Sequence, residues 1–334
     1  MAEVRVAVIG LGFMGSRWTR ALAEHPAARL TVVADVREGL GREMAGRWGA
    51  FYVGDPLEAA AHPEVDGVAV CTPEHLHVEP TLAALDAGKA VMVEKPLAHT
   101  WEEAERIRKR AAERGAPVLT GHILRFEPRY VAMHRAVEAG EIGEVQAIRS
   151  ERIGLVSDQD VLGGRTSLAL YYGVHELDLA RWYAGEVAEI WAARSTGVLE
   201  GLGYQIEDLY SVGLRFSSGA HGTSMVGWSL PPRTPGWGMA GFTVFGQRGV
   251  LRVTQGELGF LGVGADGQFD VDVHYSPEVH GSLRGAMALE ADHFVRCVAG
   301  EVDPLCDAGD GAEAVRLSLV MEESAAEGRA VTIR

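Results

Sequence analysis

Short apolar runs alternate with helical patterns along the first part of the chain. Residues 5–9, 30–34, 51–53, 67–70, 90–93 and 117–120 are brief, rich in β-branched residues and apolar without a polar alternate face, as in strands buried on both sides. Between them, helical patterns fall at 16–24, 40–48, 56–61, 77–87 and 100–114. Thr100 with Glu103 three residues on forms a capping box, and Gly88 and Gly115 follow the helices they close. Strands separated by helices of this length predict a doubly wound parallel sheet, an α/β Rossmann N-terminal domain over residues 1–121.

Beyond Thr120 the rhythm changes. Residues 127–140 read as a helix, 144–156 as a long strand and 167–183 as one amphipathic helix. Strand patterns follow at 187–195, 208–216, 221–229, 242–245, 250–253 and 269–275, then helices at 285–299 and 309–327 and a last strand at 330–333. Three prolines and two glycines between Pro231 and Gly238 predict a mobile loop. Runs of strands followed by helices predict an α+β C-terminal domain over residues 122–334.

With 334 residues, each domain can bury its own core. A net charge of −15 opposes binding to nucleic acid or to an anionic membrane. No run reaches the ~18 apolar residues of a membrane span, and Met1–Ile9 lacks a basic region followed by a long apolar run, so the expected location is cytoplasmic. Cys71, Cys297 and Cys306 show no paired spacing, which predicts reduced thiols and no structural zinc.

The candidate chemistry sits at predicted strand ends. Gly10, Gly12 and Gly15 form G-x-G-x-x-G directly after the first strand and at the start of a helix, the context in which that motif cradles a dinucleotide pyrophosphate. Phe13 and Met14 lie within the same turn and count with the glycines as cofactor contacts. Asp35 ends the second strand, where a carboxylate accepts from ribose hydroxyls and repels a 2′-phosphate, so NAD is the expected cofactor. Arg37 can serve a 2′-phosphate and keeps NADP open. Thr72, Pro73 and His77 follow the fourth strand, and Glu94-Lys95-Pro96 the fifth, where a lysine points into the nicotinamide crevice.

Taken together, the glycine motif, Thr72-Pro73 with His77, Gly88-Lys89 and Glu94-Lys95-Pro96-Leu97 resemble the glucose-fructose oxidoreductase, inositol dehydrogenase and rhizopine-catabolism (Gfo/Idh/MocA) family. Gly163-Gly164 followed by Gly173-Val174-His175-Glu176-Leu177-Asp178 extends the resemblance nearly to the C-terminus. It implies a second domain with an open, mainly antiparallel sheet that carries the substrate site, and a homodimer or homotetramer. It further implies an oxidoreductase acting on a sugar, sugar derivative or cyclitol at a secondary alcohol or the matching ketone.

On the predicted 167–183 helix, Tyr171, His175 and Asp178 share one face at i, i+4 and i+7. Removing a hydroxyl proton while hydride leaves the same carbon needs a base of near-neutral pKa and a donor for the developing alkoxide, which suits His175 and Lys95. By resemblance the family uses that lysine, that histidine and usually an aspartate four residues earlier, where this chain has Tyr171. His122, Arg125 and Arg152 are further candidates for orienting substrate, and no metal ligand set is apparent. Two other readings stay open: a reductase of a non-sugar substrate such as a diol or biliverdin-like compound, and a dinucleotide-binding sensor without turnover. The presence of both Lys95 and His175 favours an enzyme.

Overall fold

The computed structural model describes residues 3–232, 234, 238–254, 262–264, 267–269 and 272–333. Strands and helices alternate to Gly121: β1 (Val4–Ile9), α1 (Phe13–Ala23), β2 (Ala28–Ala34), α2 (Glu38–Trp48), β3 (Phe51–Val53), α3 (Pro56–Ala60), β4 (Gly67–Val70), α4 (Val78–Asp86), β5 (Ala90–Glu94), α5 (Trp101–Arg114) and β6 (Val118–Gly121). Every neighbouring pair is parallel, in the order β3-β2-β1-β4-β5-β6. The order reverses beside β1, the crevice position at which such sheets bind ligands. The expected capping box at Thr100 is present, and Gly115 closes α5 in the left-handed region at φ 59°.

The chain continues through α6 (Pro128–Glu138), β7 (Val145–Leu155), α7 (Gln159–Leu162), a wide π-type turn at Ala169–Gly173, α8 (Val174–Ala184), β8 (Val187–Ser195), β9 (Leu209–Phe216), β10 (His221–Leu230), β11 (Met239–Gly246) and β12 (Val250–Thr254). Two short hairpins follow, β13 (Gly262–Gly264) with β14 (Gly267–Phe269) and β15 (Glu278–Val279) with β16 (Ser282–Leu283). The helices α9 (Ala286–Val298) and α10 (Ala308–Glu327) and the strand β17 (Val331–Thr332) complete the chain. A seven-stranded sheet runs β12-β11-β7-β10-β9-β8-β17; β7 and β10 are parallel, and the other neighbours antiparallel.

The chain forms two compact units, and they are not consecutive in sequence. One comprises residues up to Glu127 together with His274–Val315, the other Pro128–Val273 together with Arg316–Arg334. The returning segment belongs to the first unit because α9 is apolar along one stripe. Met287, Ala291, Phe294 and Val295 join Trp18, Leu22, Val33 and Met92 in one core, and Trp18 meets Phe294 edge-on at 6.2 Å. In the second unit, Tyr183 packs on Phe242 with ring centroids 5.1 Å apart and donates to the Tyr130 carbonyl at 2.9 Å.

Two expectations need amendment. The single helix at 167–183 is broken by the π-type turn, in which the Val174 N–H reaches back five residues to the Ala169 carbonyl. That extra residue lets Tyr172 lie against Gly154, where a β-carbon would collide with the phenol, and donate to Asp158 at 2.7 Å. No strand spans 269–275: β14 ends at Phe269, residues 270–271 lie outside the described residues, and 272–275 are irregular. The expected loop between Pro231 and Gly238 lies largely outside them too.

Candidate active site

The dinucleotide turn is built from the three glycines in three different ways. Gly10 has φ +86° and a β-carbon there would stand 2.7 Å from the main chain of Cys71 and Thr72. Gly15 packs so tightly that a β-carbon would overlap the Gly10 carbonyl oxygen. Gly12 is different. A β-carbon on it meets nothing within 4 Å, so the open space lies over the N-terminus of α1, where unpaired N–H groups favour an anion. Phe13 is exposed beside that opening, with the Arg17 guanidinium 3.7 Å above its ring, and Met14 is half-buried.

Asp35 is buried and fully engaged. Its Oδ2 accepts from the Leu11 N–H at 2.8 Å and from Arg37 Nη2 at 2.9 Å, and its Oδ1 from the Arg37 N–H and Nε, both at 2.9 Å. Burial opposes its charge, yet the Arg37 side chain and the two amides hold the carboxyl below its ordinary value. The Leu11 bond ties the carboxylate to the glycine turn. The Arg37 guanidinium, 61% exposed, donates to both oxygens of the carboxylate expected to accept from a ribose.

At the ends of β4 and β5, Thr72 Oγ1 is out of solvent with no hydrogen-bond partner, a polar atom suited to a bound cofactor, while Pro73 is exposed. His77 Nε2 lies 3.0 Å from the Thr72 carbonyl and Nδ1 2.8 Å from the Pro96 carbonyl. Its ring thus braces the two strand ends, where the sequence suggested a cofactor contact, and burial pushes its pKa down. Glu94 is buried, accepts from the Trp18 indole N–H at 2.8 Å and from the Lys95 N–H at 3.3 Å, and is pushed up by burial against those donors. Lys95 itself is half-buried.

His122 is buried just after β6. Arg125, also buried, donates through Nη1 to the Leu305 carbonyl at 3.0 Å and to Asp310 at 3.1 Å, anchoring the segment after α9. In the second unit, Tyr171 is half-buried against Tyr172 (4.9 Å) and Trp228 (5.4 Å), and His175 and Asp178 are buried on α8. Arg152 donates through Nε to Glu176 at 2.7 Å, one residue beyond His175. Burial raises the Glu176 carboxyl and the arginine opposes that rise. Sequence reasoning missed Glu176, Tyr172 and Trp228. Their only sequence signal was proximity to His175 or to the strand pattern, since their partnerships are tertiary.

Residues 4–122 match an oxidoreductase family described by its NAD-binding Rossmann fold, and residues 130–252 match the GFO/IDH/MocA C-terminal domain. The chain belongs to the Gfo/Idh/MocA family. It is 33% identical to a myo-inositol 2-dehydrogenase of Thermotoga maritima over 66% of this chain and 67% of that protein. It is 30% identical to a 4-carboxy-2-hydroxymuconate-6-semialdehyde dehydrogenase of Sphingobium sp. over 56% of this chain and 61% of the other. The chain spans 58–64% of the length of three curated relatives it matches. Among solved structures, GenD2 from gentamicin A biosynthesis in complex with NAD superposes with a TM-score of 0.85 at 26% identity, over 100% of this chain and 97% of that one. As a family member with an NAD-binding Rossmann domain, the chain takes NAD as its dinucleotide.

Two expectations follow from this geometry. Asp35→Ala should weaken NADH binding by roughly 10-fold or more, the loss of a charged acceptor, whereas Arg37→Ala should leave it unchanged or tighter, because a competitor for that acceptor is gone. Fluorescence titration with NADH and NADPH measures both, and tighter NADPH binding by the parent would reverse the assignment. Arg152→Met should lower stability by ~3–5 kcal/mol by leaving Glu176 buried without a cationic partner, with much of the loss recovered in Arg152→Met/Glu176→Gln. An unchanged denaturation midpoint in the single variant would release Arg152 for a role in substrate binding.

Proposed function

We propose that the protein is an NAD-dependent dehydrogenase that transfers hydride between nicotinamide and a secondary alcohol or ketone of a sugar, sugar derivative or cyclitol. The observation that carries this reading is the presence, in one chain of this family, of both Lys95 at the end of β5 and His175 on α8. Relatives named inositol 2-dehydrogenase support the substrate class.

Bound NAD supplies the hydride acceptor. The chain supplies the proton chemistry: His175 takes the hydroxyl proton as general base, and the Lys95 ammonium stabilises the developing alkoxide. In the opposite direction the histidine returns the proton. Tyr171 stands one turn before His175 in an aromatic group with Tyr172 and Trp228, a setting that suits a hydrogen-bonding wall better than a proton carrier. That tyrosine, standing where the family usually has an aspartate, favours a second reading: a less hydroxylated carbonyl compound as substrate, in keeping with the semialdehyde dehydrogenase among the relatives. Cofactor contacts are assigned to Gly10, Gly12, Phe13, Met14, Gly15, Asp35, Thr72, Pro73 and Lys95.

A homo-oligomer is part of the proposal. The helices α6 and α8 pack on one face of the seven-stranded sheet, and the other face exposes Trp191, Met225, Met239, Phe245 and Val250 from four strands, Phe245 and Val250 directly opposite each other. An uncovered apolar face of this kind marks an association surface, and the family resemblance points to a second copy of the chain as its occupant.

Assay of NAD reduction against inositols, sugars and hydroxy acids tests the reading, and turnover of none of them would favour a non-catalytic dinucleotide sensor. Lys95→Met should cut kcat by at least ~10²-fold with NADH affinity kept. His175→Asn should do likewise, while Tyr171→Phe should raise KM by a single hydrogen bond's worth, ~0.5–1.5 kcal/mol. A larger kcat loss in Tyr171→Phe than in His175→Asn would make the phenol the proton carrier. Light scattering should find more than one chain per particle and a monomer for Trp191→Glu/Phe245→Glu; a monomeric parent would remove the oligomer from the proposal.

A further inference from the structure

Glu290 stands in the middle of the apolar stripe of α9, between Met287 and Phe294. It has no solvent exposure, and neither carboxyl oxygen makes a hydrogen bond. An ionised carboxylate without donors is among the least tolerated groups in a protein interior. A glutamate at this place needs a reason.

The groups around it supply one. From α1 comes Trp18, whose indole N–H donates to Glu94 at 2.8 Å and whose ring meets Phe294, one helical turn beyond Glu290. The end of β4 contributes the buried thiol of Cys71, and the end of β5 contributes Glu94, whose own neighbour is Lys95. Gly121 at the end of β6 has no side chain, and a β-carbon there would lie 3.3 Å from Glu94 Oε2. Burial and the charge of Glu94 both push the Glu290 carboxyl well above its ordinary range. Glu94 is raised by burial too, but Trp18 and Lys95 hold that rise back.

The two buried acids are therefore unequal: one has N–H donors and a neighbouring ammonium, the other has neither. We propose that Glu290 is a positioning residue that retains the single proton of the Glu94–Glu290 pair, so that the pair carries one negative charge and that charge stays on Glu94, where Trp18 fixes it beside Lys95. Lys95 thereby keeps a fixed countercharge beside it at Glu94, in the site proposed for the substrate oxygen. The consequence for Lys95 rests on the dehydrogenase reading; the location of the proton does not.

The test uses the full-length protein without cofactor or substrate. Infrared difference spectra between the parent and Glu290→Gln at neutral pH should show a protonated-carboxyl C=O stretch in the parent, shifted in D2O and missing from the variant. Stability gives a second readout whose sign is fixed by linkage. The folded parent keeps a proton that the unfolded chain releases near its ordinary pKa of about 4.3, so the parent loses stability as pH rises above that value. Glu290→Gln removes this loss. Its Tm should exceed the parent's by roughly 2–4 °C at pH 8, with the gap closing toward pH 4. Absence of the band, or a variant that is less stable at pH 8, overturns the proposal by showing Glu290 ionised and paired. Should the glutamine variant not fold, titration of the parent's own band decides: persistence beyond pH 7 supports the proposal and earlier loss refutes it. Failure of the dehydrogenase reading would appear separately, as an intact band in a protein with no turnover.

Discussion

A glycine α-carbon laid against a carbonyl oxygen organises the first unit at its functional end. Because Gly15 can approach the Gly10 carbonyl with no side chain between them, α1 starts immediately above the end of β1. The helix N-terminus then opens onto the space over Gly12, and the Leu11 amide reaches Asp35 on the neighbouring strand. Any larger residue at Gly15 would push the helix away and separate the anion site from the ribose acceptor. From this one close approach follow the position of Trp18 on the buried side of α1 and, through its indole, the orientation of Glu94 beside Lys95.

Much of this was legible in the chain. Period and punctuation located the six parallel strands and most helix ends, because those depend on local chemistry: a capping threonine, a terminal glycine, apolar strands buried on both faces. What escaped was set by contacts remote in sequence. The π-type turn before His175 exists because Tyr172 must reach both Gly154 and Asp158, and nothing within residues 167–183 announces either partner. The return of α9 to the first core likewise depends on Trp18. The roles of Arg125 and Arg152 read ambiguously for the same reason. An arginine after a strand looks alike whether it awaits a substrate or, as here, holds Asp310 or Glu176.

The molecule shows three ways of keeping a carboxyl out of water. Asp35 is surrounded by N–H donors and a guanidinium, and its charge is secure. Glu176 relies on a buried arginine and the Ser150 hydroxyl, an arrangement that is costly to break although weak as a net source of stability. Glu290 has no donor at all. The series runs from the acid built to remain charged to the acid that gains most from staying neutral. Two of the three adjoin residues assigned to chemistry, the kind of place where perturbed acids cluster.

The first unit's discontinuity in sequence has a consequence for how the chain is made. Trp18 and Phe294 touch, yet the chain between them includes every strand of the second sheet except β17. A nascent chain can pair β1 with β2 and β4 soon after synthesis, but the surface of α1 that receives α9 stays uncovered until the whole stretch between the two helices, and α9 itself, has been made. Contacts of such long range close late and slowly, and the apolar side of α1 is meanwhile open to wrong partners. A unit whose glycine motif is complete at Gly15 thus cannot complete its core until α9, which begins only at Ala286, is in place.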